Sequence, residues 1–479
     1  MKVEQFAHLD ATAQAQLVRR GEVSPLELVD AAIACIERFD DQINAVVHRQ
    51  FEQARQRARG RLPDGPFRGV PFLLKDLAGG AQAGEPLTYG CRLGVGHVAR
   101  IDTELVRRYH AAGLIVLGRT NTPEFGLTPT TESRLFGACR TPWSVRHSAG
   151  GSSGGAAAAV AARLVPFAHA SDIGGSIRIP ASACGVFGLK PSRARNPVGP
   201  LLGEGTGGLP AEHCCSISVR DSAALLDATS APDHGAPYVA PAKVRPYVDE
   251  LRAPHQRLRI GVMRRSLTGI DADPDCLAAV EAAVSLCREL GHDVRDESPQ
   301  ISALPAVTDA FGKIFAVSAA LHLASLEAAV GRRAADGELE PMTRAVVELS
   351  RHVSATDYVQ AQRTLHRMSR EMAAFFDEHD LVLSPTMAVP PAPIGALVFE
   401  PADDIDTFFA RCAPYGCFTA VFNATGQPAM SVPLHWNAAG LPIGVQFAAR
   451  LGDEGTLFRL AAELERARPW AGCRPPISQ

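Results

Sequence analysis

At 479 residues with 46% hydrophobic content, the chain can bury a full core, which excludes extensive disorder. Its formal net charge of −3, from 48 Lys+Arg against 51 Asp+Glu, leaves no basic footprint for nucleic acid. The opening MKVEQFAHLD has no apolar signal-type region, no apolar run reaches the ~18 residues that span a bilayer, and the 11 cysteines include no C-x-x-C pair. A cytoplasmic protein with packed thiols is expected, with no membrane partner, metal or cofactor.

Residues 9–60 read as a helical region. Ser24-Pro-Leu-Glu27 is a capping box opening an amphipathic run to about Phe39, and Gln50 to Gly60 is a second helix. Gly69 to Leu77, GVPFLLKDL, reads as a buried strand that carries Lys75 to its end. Successive strand residues point to opposite sides, so Asp76 is poorly placed to neutralise Lys75, and an unpaired, desolvated lysine gives up its proton readily. Thr103 to Gly113 is a helix and Leu114 to Leu117 a strand. Arg119 to Phe125 then forms a loop at the strand's carboxyl end, where α/β sheets place ligands.

Next come Ala156 to Arg163, a short helix, and Val165 to Ala170, a strand feeding Ser171-Asp172. Asn196 to Pro210 is Gly/Pro-rich loop, Val219 to Thr229 a helix, and Ala231 to Pro254 a proline-rich crossing. Leu258 to Val262 is a strand and Pro274 to Leu290 a helix. Residues 306–378 are helical in pattern. Leu381 to Thr386 is a buried strand, Asn423 to Pro433 and Ile443 to Ala449 form a late strand pair, and Glu454 to Ala467 is the last helix.

The chemistry concentrates in His147 to Ser192. Two glycine clusters, Gly150 to Gly155 and Gly174-Gly175, flank an Ala-rich run and bring Ser148, Ser152, Ser153 and Ser176 with them. Glycine at that density gives up conformational entropy for close backbone approach. Three serine chemistries compete. A nucleophile elbow at Gly150-x-Ser152-x-Gly154 needs a strand before it, and RTPWSVRHS is a poor one. A phosphate loop lacks its lysine and its acidic metal ligand. The third makes Ser176 the nucleophile, because Asp172-Ile-Gly-Gly can aim successive amides at one point, as an oxyanion hole requires. A serine hydroxyl still needs a base, and the expectation is a deprotonated lysine relayed through a second serine. Lys75 would have to titrate at ~7–8 rather than ~10.4.

In GGSSGG, DIGGSIRIPASACGVFGLKPS and GVPFLLKDL, in that spacing, the sequence resembles the amidase signature hydrolases along essentially its whole length. The resemblance implies an α/β fold with a central, mostly parallel or mixed twisted sheet covered by helices on both faces. It implies a single domain, 1–479, with an N-terminal helical region 1–60, a catalytic core 61–230 and a helical insertion at about 306–378. It also implies roles: Ser176 as acylated nucleophile, Ser152 in a cis peptide as proton shuttle, and Lys75 as base. The backbone N–H groups of Ile173, Gly174, Gly175 and Ser176 would form the oxyanion hole, with Ser153, Asp172 and Arg178 in support. The implied activity is hydrolysis of amide C–N bonds in a small-molecule amide: cyclic or linear aminohexanoate-type amides, anilides or carbamates, with a homodimer as the usual assembly. The alternative within the family is the A subunit of a tRNA-dependent amidotransferase. The acyl pocket is expected to draw on the Leu201 region and on Phe311, Phe315, Phe408, Phe409, Tyr415 and Phe418.

Overall fold

The computed structural model describes residues 1, 3–302, 304–400 and 402–478. Its main sheet has eight strands. In spatial order they are Asp293–Arg295, Arg259–Val262, Leu381–Pro385, Pro442–Ala449, Ala429–Trp436, Phe187–Lys190, Ala211–Ser216 and Phe167–Asp172. Only the pairs made by Arg259–Val262 are parallel; the other five are antiparallel. The sheet is therefore mixed, with parallel pairing confined to one edge.

Strand alternation sorts its two faces. Met430, Val432 and Leu434 point toward the helices Pro274–Glu289 and Glu454–Ala467 and share their apolar core. On the other face Gly444 lies against Ser182 of the helix Arg178–Cys184, where a Cβ would come within 2.8 Å of the Ser182 side chain. A second, three-stranded sheet orders Val46–Arg49, Ile115–Thr120 and Pro71–Lys75, the last two parallel.

The capping box at Ser24 and Glu27 forms as read, and its helix runs Pro25–Ile43. Among the described residues one helix, Leu304–Val330, is long and apolar enough by length and composition to cross a membrane, so the chain does contain such a stretch. It packs on Pro341–Ser350 and Ala355–Glu378, and a Lys313–Asp309 pair at 2.8 Å interrupts its apolar run. The late strand begins at Ala429 rather than at Asn423, because Ala420–Thr425 is helical and aims Asn423 at the serine loop. RTPWSVRHS also pairs better than expected: Ser144–Ser148 is a strand, but it belongs to a small separate hairpin with Arg140–Thr141. Most cysteines are buried thiols; Cys473 is exposed.

Candidate active site

Three elements converge on Lys75. The strand Pro71–Lys75 is buried at every residue and places the amine at its end, with no solvent exposure. The helix Gly154–Ala161 begins beside it, and its small residues allow that approach. A Cβ on Gly155 would lie 2.4 Å from the Asn121 nitrogen and 2.6 Å from the Ala45 oxygen, and one on Gly154 would lie 2.4 Å from Thr131 Oγ1. The third element, Phe167–Asp172, alternates across its two faces, so Ser171 looks toward Lys75 and Asp172 looks away.

Lys75 Nζ consequently contacts three hydroxyls: Ser152 Oγ at 2.8 Å, Ser153 Oγ at 2.8 Å and Ser171 Oγ at 3.0 Å. Burial pushes its pKa down to about 7 against the opposing pull of Glu212 and Asp172. Asp76 does not pair with it; that carboxylate accepts from the Thr88 amide at 3.0 Å and lies 4.0 Å from Arg119. A neutral amine in contact with a hydroxyl can accept its proton, which is the property that general-base chemistry demands.

The Gly151–Ser152 peptide is cis. Thr122 Oγ1 donates to the Ser152 carbonyl at 2.9 Å, and Gly126 at φ +71° leaves room for the Ser152 hydroxyl, which a Cβ there would approach to 3.1 Å. Ser176 is half-buried at the end of the second glycine cluster. The Ser153 amide donates to the Ser176 carbonyl at 3.3 Å, tying the two serine loops together. The structure thus brings Lys75, Ser152 and Ser153 into direct contact and sets Ser176 beside them through the backbone, without a hydrogen bond between the Ser152 and Ser176 hydroxyls.

Behind Ser176 the loop is held by a dense network. Asp172 accepts from the Gly175 amide at 2.7 Å, the Ile177 amide at 3.1 Å, Arg178 Nε at 3.0 Å and Nη2 at 2.9 Å, and Asn423 Nδ2 at 2.9 Å. Arg178 reaches on to Gln446 Oε1 at 2.7 Å and the Thr419 carbonyl at 2.9 Å. Burial would raise the Asp172 carboxyl, but the Arg178 guanidinium outweighs it and holds the group at about 2. This network changes one expectation: the Gly175 N–H is already taken by Asp172. The amides of Ile173, Gly174 and Ser176 donate to no protein acceptor among the described residues.

Two of the expected pocket aromatics, Phe408 and Phe418, are fully buried and offer no pocket surface, because each packs into an apolar cluster. Phe311 does reach the serine loop, its ring lying 3.5 Å from where a Gly174 Cβ would stand, and it stacks with Phe315 at 6.4 Å. The Leu201 side chain is 66% exposed. Sequence reading singled out Asp172 and Arg178 but missed Asn423, Gln446 and Thr419, which come from the last third of the chain. The only available signal was an amide-rich FNATGQP beside a strand.

The Amidase family profile matches residues 27–458, and the chain belongs to that family. It is an amidohydrolase acting on carboxylic amide C–N bonds. Among its relatives it is 39% identical to the 6-aminohexanoate-cyclic-dimer hydrolase of Paenarthrobacter ureafaciens, over 98% of this chain and 96% of that protein. The solved structure of 6-aminohexanoate cyclic dimer hydrolase complexed with substrate superposes with a TM-score of 0.94 at 37% identity, covering 99% of this chain and 100% of the other. A bacterial aryl acylamidase of the amidase signature family gives a TM-score of 0.86 at 26% identity, covering 97% of each chain.

Proposed function

We propose that this chain hydrolyses amides through a Ser176 acyl-enzyme, with Lys75 as base and Ser152 as the relay between them. The observation that carries the reading is a fully buried amine, titrating near neutrality, in contact with the Ser152 hydroxyl at 2.8 Å. Neutral Lys75 takes the Ser152 proton while Ser152 takes that of Ser176, and Ser176 Oγ adds to the carbonyl carbon. The tetrahedral oxyanion collapses, the C–N bond breaks, and the proton returns through Ser152 to the departing amine. Water then enters by the same relay and releases the carboxylic acid. The relay requires the two hydroxyls to come into contact as substrate binds, since such bonds tighten in the reacting complex.

The oxyanion is received by the Ile173, Gly174 and Ser176 amides, each donor of this kind being worth roughly 2.7–4 kcal/mol. Asp172, Arg178 and Asn423 hold those amides in place without touching substrate, and Ser153 anchors the amine from its other side. Phe311 beside Gly174 favours an apolar acyl group. With the relatives' names, this supports an uncharged aminohexanoate-type amide, cyclic or linear, ahead of anilides and carbamates. The amidotransferase-subunit reading has less behind it, because the relatives at 37–39% identity are named as 6-aminohexanoate cyclic dimer hydrolases. A single amidase domain working in the cytoplasm completes the proposal.

The test is a panel of 6-aminohexanoate cyclic dimer, linear oligomers, anilides, carbamates and glutamine, run with wild type, Ser176→Ala and Ser153→Ala. Turnover of the cyclic dimer by wild type and none by Ser176→Ala is expected. Activity surviving in Ser176→Ala but lost in Ser153→Ala overturns the assignment, and ammonia release from glutamine alone would select the amidotransferase reading.

A further inference from the structure

We infer that His169 and Glu212 are positioning residues for Lys75: the imidazole ties down the strand end carrying the amine, and the carboxylate sets a negative charge near the amine that no cation among the described residues neutralises. The inference rests on the reading of Lys75 as the base.

The arrangement follows from strand register. His169 and Ser171 lie two apart on Phe167–Asp172 and so share a face, the one turned to Lys75. Glu212 pairs with Ser171 across the antiparallel ladder, which makes it the diagonal neighbour of His169 on that same face. The Lys75 backbone N–H donates to His169 Nδ1 at 3.3 Å, and His169 Nε2 lies 2.8 Å from Glu212 Oε2. A ring nitrogen that accepts an N–H carries no proton, so this contact assigns the His169 proton to Nε2 and makes the imidazole a neutral donor to Glu212. The preceding glycines are shaped around the pair. A Cβ on Gly79 would lie 2.5 Å from Glu212 Cδ, and one on Gly80 would lie 3.2 Å from His169 Nδ1.

The other charges around Lys75 are compensated. Asp172 is ion-paired with Arg178 at 2.9 Å, and Arg119 lies 4.0 Å from Asp76 while donating to the Gly80 carbonyl at 2.9 Å. Cys215 and Tyr109 are pushed upward by burial and stay neutral, as does His213, pushed down to about 3 on the opposite face of its strand. The helix Gly154–Ala161 brings no titratable side chain. Among the described residues no lysine or arginine pairs with Glu212, whose side-chain partner is the neutral His169 imidazole. Burial drives Lys75 toward neutrality, and Glu212 limits how far.

The experiment is the pH profile of kcat/KM on 6-aminohexanoate cyclic dimer or, failing its turnover, p-nitrophenyl butyrate, for wild type, Glu212→Gln, Glu212→Asp, His169→Ala and Lys75→Ala. A base works above its pKa, so activity falls as pH drops through that value. Removing the carboxylate lowers the value, and the acid limb of Glu212→Gln moves to lower pH by about half a unit. Glu212→Asp keeps the charge but draws it back one methylene, and its limb moves the same way by less. His169→Ala frees the strand end and lowers kcat by ~10-fold or more with KM within ~2-fold. A limb that stays put or moves upward in Glu212→Gln overturns the inference, as does an unchanged kcat in His169→Ala. Should the Gln variant not fold, a Glu212→Asp limb at or above that of wild type does the same. An active Lys75→Ala instead overturns the base assignment itself.

Discussion

Among the described residues two lysines are buried, Lys75 and Lys190, each within 1% of complete burial and each pushed down to about 7 by desolvation. What lies in front of each amine separates them. Lys75 faces the hydroxyls of Ser152, Ser153 and Ser171, groups that have a proton to give. Lys190, on the strand Phe187–Lys190, donates to the Pro191 carbonyl at 2.9 Å, an acceptor with nothing to transfer. Arg178 and Arg193 press its pKa down further while Asp172 and Glu454 oppose them. A shifted lysine therefore does not by itself mark a base; a lowered pKa makes proton transfer possible, and the neighbouring oxygen decides whether it happens.

The contrast breaks most sharply on activity. Lys75→Met is expected to lower kcat/KM by ~10³-fold or more, whereas Lys190→Met stays within a few-fold of wild type. Equal losses in the two variants would erase the distinction. The pH dependence of stability sharpens what they have in common. A lysine whose folded pKa lies below its unfolded value holds fewer protons in the folded state, so its cost is absent above ~10.4 and complete below about 7. Each Lys→Met variant should then gain about 3 kcal/mol relative to wild type between pH 10 and pH 7, read from urea unfolding at both values. A pH-independent difference would mean that the amine is hydrated in solution.

Smaller still is the effect of the packing that brings the serines to Lys75. Gly155→Ala pushes a methyl into the Asn121 and Ala45 backbone and should cost roughly 1–3 kcal/mol. Val244→Ser, at 89% exposure, serves as the reference and should move stability by less than ~0.5 kcal/mol. Similar melting temperatures for these two variants would mean that the glycine contact relaxes without cost.

Much of this was legible in the chain itself. Ser24 and Glu27 encode their capping box within four residues, and GVPFLLKDL encodes a buried strand with a lysine at its end, because local hydrogen bonding and burial pattern suffice for both. The glycine clusters likewise announced close backbone approach, and strand alternation separated Lys75 from Asp76. Tertiary structure alone decided which groups meet. Asn423 and Gln446 reach Asp172 and Arg178 from more than 240 residues away, and Glu212 reaches His169 only through an antiparallel register between Phe167–Asp172 and Ala211–Ser216. It also spent the Gly175 amide on Asp172 and drew Phe408 and Phe418 into the core. Composition and periodicity report what each residue can bury or donate, but the partner that satisfies it is set by strand order and packing, which link positions with no local relation in the sequence.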